Sequence, residues 1–161
     1  MGDVRDIYAH YVLHELATFE EAPPTLEEML QRREKCLGAG LPYLVAETTE
    51  GALGYAYAAR YHDRPAYRHT IEDSVYVADR ARGQGVGAAL LGELIARCER
   101  GPWRQMVAIV GDSANVGSIA LHRRFGFKLM GTLRSVGFKL GRWVDTPILQ
   151  RALGPGDGAT P

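Results

Sequence analysis

Cysteine is nearly missing from these 161 residues, where Cys36 and Cys98 are the only two. One pair cannot build the disulfide lattice of a small secreted fold, and its spacing matches no metal site. The pattern reads as reduced, core-lining thiols of a cytoplasmic protein. Charge imbalance is missing as well: 19 Lys and Arg offset 19 Asp and Glu, for a net charge of zero. No global field then draws the chain to nucleic acid, anionic lipid or a charged polymer, and any anion site must be local. No apolar run approaches the length of a membrane span, and the opening MGDVRDIYAHYV lacks the apolar segment of a signal peptide. Apolar residues, by contrast, make up 46% of the chain. That supports one cored α/β domain, expected over residues 1–153, in a chain too short for two of ordinary size. The closing residues 154–161, GPGDGATP, read as a disordered tail.

Helical and extended patterns alternate along the chain. Val4, Ile7, Tyr8, Tyr11, Val12 and Leu16 recur at helical spacing, and the prolines of ATFEEAPPT break that helix. Thr25 caps a second helix, with Glu27 and Glu28 in its first turn and Gly38 and Gly40 at its stop. Tyr43 to Glu47 and Ala52 to Arg60 flank the turn TTEG as a hairpin, and Thr70 to Ala78 forms a third strand rich in β-branched and aromatic residues. Val86, Leu90, Leu94 and Ile95 then mark a helix face, and MVAIVG a buried parallel strand, completing one βαβ-like unit. A helix from Asn115 to Phe125 ends at Gly126, and residues 127–136 and 144–152 form two last strands joined through GFKLGRW.

Chemistry concentrates in RARGQGVGAALL, residues 80–91. Without the Gly-Lys-Ser/Thr ending of a P-loop it has no lysine for a γ-phosphate and no hydroxyl for magnesium. Gly83, Gly85 and Ala88 fit a dinucleotide fingerprint, with Asp112 roughly 20 residues on as the ribose acid. Hairpin-like strands precede the motif, however, and little chain follows, which a dinucleotide domain does not allow. Close helix-to-strand packing alone accounts for one or two of the glycines but not for a run of three beside Arg80 and Arg82. A loop that curls its backbone around an anion at a helix N-terminus, with an arginine to neutralise the remaining charge, accounts for all of them.

Arg82, Gln84, Gly85 and Gly87 fall on the pattern Arg/Gln-x-x-Gly-x-Gly/Ala, which resembles the pyrophosphate loop of the GNAT superfamily of GCN5-related N-acetyltransferases. The segments IYAHYV, ATFEEAPPT, TIEDSVYV, NVGSIALHRRFGF and VGFKLGRWVD narrow the resemblance to its phosphinothricin and methionine sulfoximine acetyltransferase branch. The resemblance implies a GNAT fold, a mixed and mostly antiparallel central sheet flanked by helices. The family's first strand, ahead of the first helix, is absent or lost upstream, since only a few residues precede Val4. It further implies acetyl-CoA as cosubstrate, no metal, and a homodimer. Arg82, Gly83, Gln84, Gly85, Val86, Gly87 and Ala88 would cradle the pyrophosphate. Asn115 and Ser118 would contact the pantetheine or phosphate portion, and Tyr76 and Val77 would offer strand backbone groups to the pantetheine.

Acetyl transfer needs a neutral amine, whereas an α-amino group with a pKa of about 8 is mostly protonated at neutral pH. Glu72, an acid inside a strand-like stretch, is the candidate general base, and the resemblance places a glutamate there beside the acceptor. The competing reading is an exposed residue on an edge strand. Asp73 points to the opposite face of a regular strand. The resemblance makes His122, seven residues after Asn115, the candidate general acid for the departing thiolate; otherwise it is a surface helix histidine beside Arg123 and Arg124. Phe19, Arg64, Tyr67 and Arg68 are the candidates for the acceptor, whose carboxylate an arginine binds through paired hydrogen bonds. His62 and His69 have no ligand-spaced partner for a metal. Trp143 and Asp145 match the family's final hairpin, a place for packing or dimer contact. The expected activity is acetyl-CoA-dependent N-acetylation of a small amino acid or an analogue of the phosphinothricin, methionine sulfoximine or methionine sulfone type, by direct attack. The alternatives are a protein N-terminal or polyamine acetyltransferase, and a non-catalytic acyl-CoA-binding regulatory module.

Overall fold

The computed structural model describes residues 1–160; Pro161, at the end of the expected tail, lies outside them. Helix α1 (Gly2–His14) buries Val4, Ile7, Tyr8 and Val12 on one face and stops where Glu15 turns extended, earlier than the apolar spacing through Leu16 implies. Helix α2 (Leu26–Gly38) starts from a capping box. The Glu28 N–H donates to the Thr25 hydroxyl at 3.2 Å, and the Thr25 N–H donates to the Glu28 carboxylate at 2.6 Å. There follow β1 (Tyr43–Thr48), β2 (Gly51–Arg60), β3 (Thr70–Val77), α3 (Val86–Cys98), β4 (Gln105–Ile109), α4 (Val116–Arg124), β5 (Lys128–Lys139) and β6 (Arg142–Ala152).

The six strands form one sheet in the order β1-β2-β3-β4-β6-β5, antiparallel except between β3 and β4. Helix α3 supplies the crossover that a parallel pair requires. Alternation along the strands splits the core in two. Ile71, Leu91, Leu94, Met106 and Leu149 pack on the α3 face. Tyr8, Val12, Met29, Tyr55 and Tyr76 pack on the α1 face. Among the described residues no helix is long and apolar enough to cross a membrane.

The last two strands depart from the sequence reading. β5 and β6 run through GFKLGRW, and the turn between them is only Leu140 and Gly141, at φ 49° and 75°. Positive φ at both central positions matches the twist of a two-residue hairpin. A bulge with Ser135 at φ 51° shifts the register between Leu133 and Gly137, so strict alternation is lost where the strand continues.

One side chain of β5 fixes the end of α1. Lys139 is 3% exposed, and its ammonium donates to the carbonyls of Glu15 and Thr18, both at 2.7 Å, and of Tyr11 at 3.3 Å. The Tyr11 carbonyl also accepts the Glu15 N–H that closes the helix, at 3.2 Å, whereas the carbonyls of Glu15 and Thr18, past the helix end, have Lys139 as their partner. Just beyond, a Cβ on Gly111 would drive into the Leu16 carbonyl, so this glycine lets the segment after α1 lie directly on the end of β4. Replacing Lys139 by Met should lower stability by about 2–4 kcal/mol, since charge-assisted bonds are lost and buried carbonyls orphaned. A urea midpoint equal to that of the native chain would remove this anchor from the account.

Candidate active site

Parallel pairing of β3 with β4 runs from Thr70↔Gln105 to Asp73↔Ala108 and stops there, although β3 continues to Val77. The Ala78 N–H still reaches the Leu53 carbonyl on the β2 side at 2.8 Å. By antiparallel alternation, Tyr76 therefore also turns its peptide groups towards β2, and Val75 and Val77 turn theirs away. They face a wedge-shaped cleft of about 960 Å³, walled by the end of α1, the glycine loop and the start of α4.

In the glycine loop, Gly83 and Gly85 take φ of 74° and 83°, left-handed conformations that side chains resist. Gly85 is the N-cap of α3 and brings no side-chain cap. The N–H groups of Val86, Gly87 and Ala88, which have no partner inside the helix, are thereby left at the cleft wall, beside the positive end of the helix dipole. The Gln84 amide instead donates back to the Arg80 carbonyl at 2.8 Å and braces the loop from outside. Arg82 lines the cleft, paired with Glu15 at 2.9 Å and Asp79 at 3.4 Å. Donors, curvature and charge fit the pyrophosphate and pantetheine of acetyl-CoA.

At the floor of the wedge, His122 and Asp73 are each 5% exposed and meet at 2.9 Å through Nε2 and Oδ2. The other ring nitrogen, Nδ1, lies 2.7 Å from the Ser118 carbonyl. Both partners are acceptors, so the ring satisfies them by donating twice, as the imidazolium. Burial opposes that charge, but the Asp73 carboxylate and the Ser118 carbonyl outweigh it and raise the His122 pKa. The surface histidine of the alternative reading is thus a buried one. Asn115 caps α4, its side chain accepting from the Ser118 N–H at 3.1 Å, and both residues line the cleft.

Glu72 lies on the opposite, α1 face of β3, the face that also carries Tyr76. Among the described residues no hydrogen bond or ion pair reaches its carboxylate. Burial, followed by the nearby charge of Asp73, pushes its pKa up to about 7. A second cavity of about 360 Å³ opens under α2, lined by Tyr8, Tyr43, Tyr55, Tyr57 and Arg60, and by Ala59, the cross-strand partner of Glu72. The acceptor candidates are scattered. The Phe19 ring covers Gly137 of β5, where a Cβ would stand 2.5 Å from it. Arg64, Tyr67 and Arg68 sit on the turn after β2, near the start of β3, where Tyr67 joins a ring cluster with Tyr61 and His62. None of these four lines the wedge.

Diverging parallel strands with a phosphate-shaped loop beside them define a fold that receives an acyl-CoA thioester between two strands, and comparison with known proteins agrees. The profile of the Acetyltransferase (GNAT) family matches residues 5–127. A phosphinothricin N-acetyltransferase of Alcaligenes faecalis is 59% identical over 155 residues, 96% of this chain and 79% of that protein. An L-methionine sulfoximine/L-methionine sulfone acetyltransferase of Pseudomonas paraeruginosa is 39% identical over 92% of this chain and 87% of its own. The crystal structure of a phosphinothricin acetyltransferase from Sinorhizobium meliloti in complex with acetyl-CoA superposes with a TM-score of 0.94 at 47% identity, over 98% of this chain and 85% of that one. The chain belongs to the GNAT acetyltransferase family and is an N-acetyltransferase, which bears out the resemblance drawn from its motifs. The dinucleotide reading falls with the mostly antiparallel sheet, and Asp112, its ribose acid, is paired with Arg142 at 2.7 Å.

Replacing Asp73 by Asn should leave the buried imidazolium without a counter-charge and cost about 3 kcal/mol. Because pairing raises the folded pKa of His122, the lost stability is fully present below the unfolded value of 6.5 and fades as pH rises through the folded one. Urea titrations at pH 6 and pH 9 check this, and a cost that grows with pH would contradict the charge assignment.

Proposed function

We propose that this enzyme transfers the acetyl group of acetyl-CoA to the amine of a small amino acid or an analogue of the phosphinothricin, methionine sulfoximine or methionine sulfone type. The observation that carries the reading is Glu72, a half-buried carboxyl with no partner, whose pKa burial pushes up to about 7, matched to taking a proton from an ammonium at neutral pH. The names of the two curated relatives support the acceptor class.

In this reading the backbone groups of Val75 and Val77 hold the pantetheine, and Gly83 to Ala88 take the pyrophosphate, with Arg82 neutralising charge. Asn115 and Ser118 shape the far wall. The acceptor approaches from the Glu72 face and loses its proton to that carboxylate, directly or through water. The freed nitrogen lone pair forms the new C–N bond as the C–S bond breaks, the nitrogen gives its second proton to solvent, and the sulfur leaves with its electron pair. Both N–H groups of His122 are already spent on Asp73 and Ser118, so it serves as a fixed positive charge that favours the thiolate rather than as the proton donor. The thiolate takes its proton from solvent. Phe19, Arg64, Tyr67 and Arg68 remain the proposed contacts for the acceptor. β5, the outer strand of the sheet, exposes Leu129, Met130, Leu133, Val136 and Phe138, with Leu140 and Trp143 beside them, an apolar surface suited to a second copy. The enzyme works in the cytoplasm, where its cosubstrate is made and its thiols stay reduced.

The direct test is release of CoA thiol with methionine sulfoximine, methionine sulfone, phosphinothricin, ordinary amino acids, spermidine and an N-terminal peptide. Saturable turnover with one of the first three is expected, whereas turnover only with spermidine or peptide would move the function to the polyamine or protein class. Glu72→Gln should lower kcat by about 10²- to 10³-fold and flatten the rise of activity through pH 7. The same change should stabilise the fold. A carboxyl raised from 4.5 to about 7 costs nothing below pH 4.5, a growing amount up to about 7, and a constant amount of about 3 kcal/mol above. Unchanged turnover would take Glu72 out of the mechanism. For the assembly, sedimentation should show a dimer that Phe138→Glu with Trp143→Glu converts to monomer; a monomeric native chain would discard that interface.

A further inference from the structure

The peptide groups of Val77 face the wedge, and one side chain takes both of them. The Tyr11 hydroxyl donates to the Val77 carbonyl at 2.9 Å and accepts from the Val77 N–H at 3.3 Å. The ring is held edge-on against Tyr76, with centroids 5.1 Å apart, and the Arg82 guanidinium lies 5.3 Å above its centroid. Tyr11, Val77 and Arg82 all line the cleft. Val75, the other residue of β3 with its peptide groups turned to the wedge, has no such partner among the described residues.

A phenol hydroxyl presents one donor and one acceptor at a single atom. That is the complement of a strand N–H and C=O, and a secondary amide laid along the strand presents the same pair. An amide of the pantetheine arm and the Tyr11 hydroxyl therefore compete for the same two groups. Resting on the reading of this cleft as the acetyl-CoA site, we propose that Tyr11 is an affinity-determining residue that occupies the pantetheine anchor at Val77 in the free protein and yields it to the coenzyme.

The surroundings allow the exchange. Lys139 holds the carbonyls of Tyr11, Glu15 and Thr18, so the backbone of α1 stays in place while the side chain rotates. Arg82, which covers the ring, is kept there by partly exposed pairs with Glu15 and Asp79, and such pairs are weak. A pyrophosphate at the glycine loop is a stronger partner for that guanidinium, and its arrival uncovers the ring as the pantetheine reaches Val77.

Calorimetric titration of the native enzyme and of Tyr11→Phe tests this, with two ligands. One is acetyl-CoA; the other is adenosine 3′,5′-bisphosphate, which carries the nucleotide end without the pantetheine. Loss of the competing hydroxyl should tighten acetyl-CoA about three- to tenfold and leave the bisphosphate unchanged. Equal or weaker acetyl-CoA binding by the variant, or equal tightening of both ligands, overturns the proposal. If the native enzyme binds neither ligand, the reading of the cleft fails first and the proposal with it. A crystal structure of the native enzyme with acetyl-CoA gives an answer that does not depend on the variant folding. The hydroxyl displaced from Val77 upholds the exchange, and the hydroxyl still within hydrogen-bond distance of it refutes it.

Discussion

Two adjacent parallel strands part because each follows a different neighbour. β3 stays with β2 to its end, where the Ala78 N–H reaches Leu53 O, while the chain after β4 stays with β6, through Val110 N–H to Pro147 O at 3.0 Å and Asp112 N–H to Asp145 O at 3.1 Å. The twist carried by each pair pulls them apart after Asp73 and Ala108. Backbone groups exposed by the parting still require partners. The site is the set of ways in which they are met: a tyrosine hydroxyl at Val77, an open edge at Val75, and a cleft wide enough for an extended ligand to lie as a further strand. α1 walls this cleft because Lys139 and Gly111 bind its end to the far side of the sheet.

Features encoded within a few residues were legible in the sequence. The glycine loop declares itself because left-handed turns, a helix N-terminus and an arginine must lie within one short stretch to hold an anion. The capping box at Thr25 and the hairpin of β1 and β2 are equally local. The Asp73–His122 pair joins residues 49 apart, and neither end signals the other: strand alternation says only that Asp73 faces away from Glu72, and a histidine followed by Arg123 and Arg124 reads as surface. Only the crossover through α3, which lays α4 over β3, brings them together. Tyr11 reads as one more apolar position of α1, since helical spacing reports which face is covered and not what a terminal hydroxyl reaches. β5 misleads for another reason. Its alternation is inverted, with Val136 and Phe138 turned to solvent and Lys139 buried, and Leu140 in a left-handed conformation is not a turn residue by type.

Glu72 and Asp73 show how one strand gives the same chemistry opposite fates. Alternation sends neighbouring carboxyls to opposite faces; one is paired through Oδ2 with the His122 imidazolium, and the other is left without a partner. The two remain coupled, since the charge of Asp73 is the second cause, after burial, of the raised Glu72 pKa. Burial is the larger of the two causes, and the charge of Asp73 adds to it through the strand. The buried ion pair therefore bears on both faces of the strand: its positive end lines the wedge, and its negative end adds to the burial that raises the Glu72 pKa to about 7.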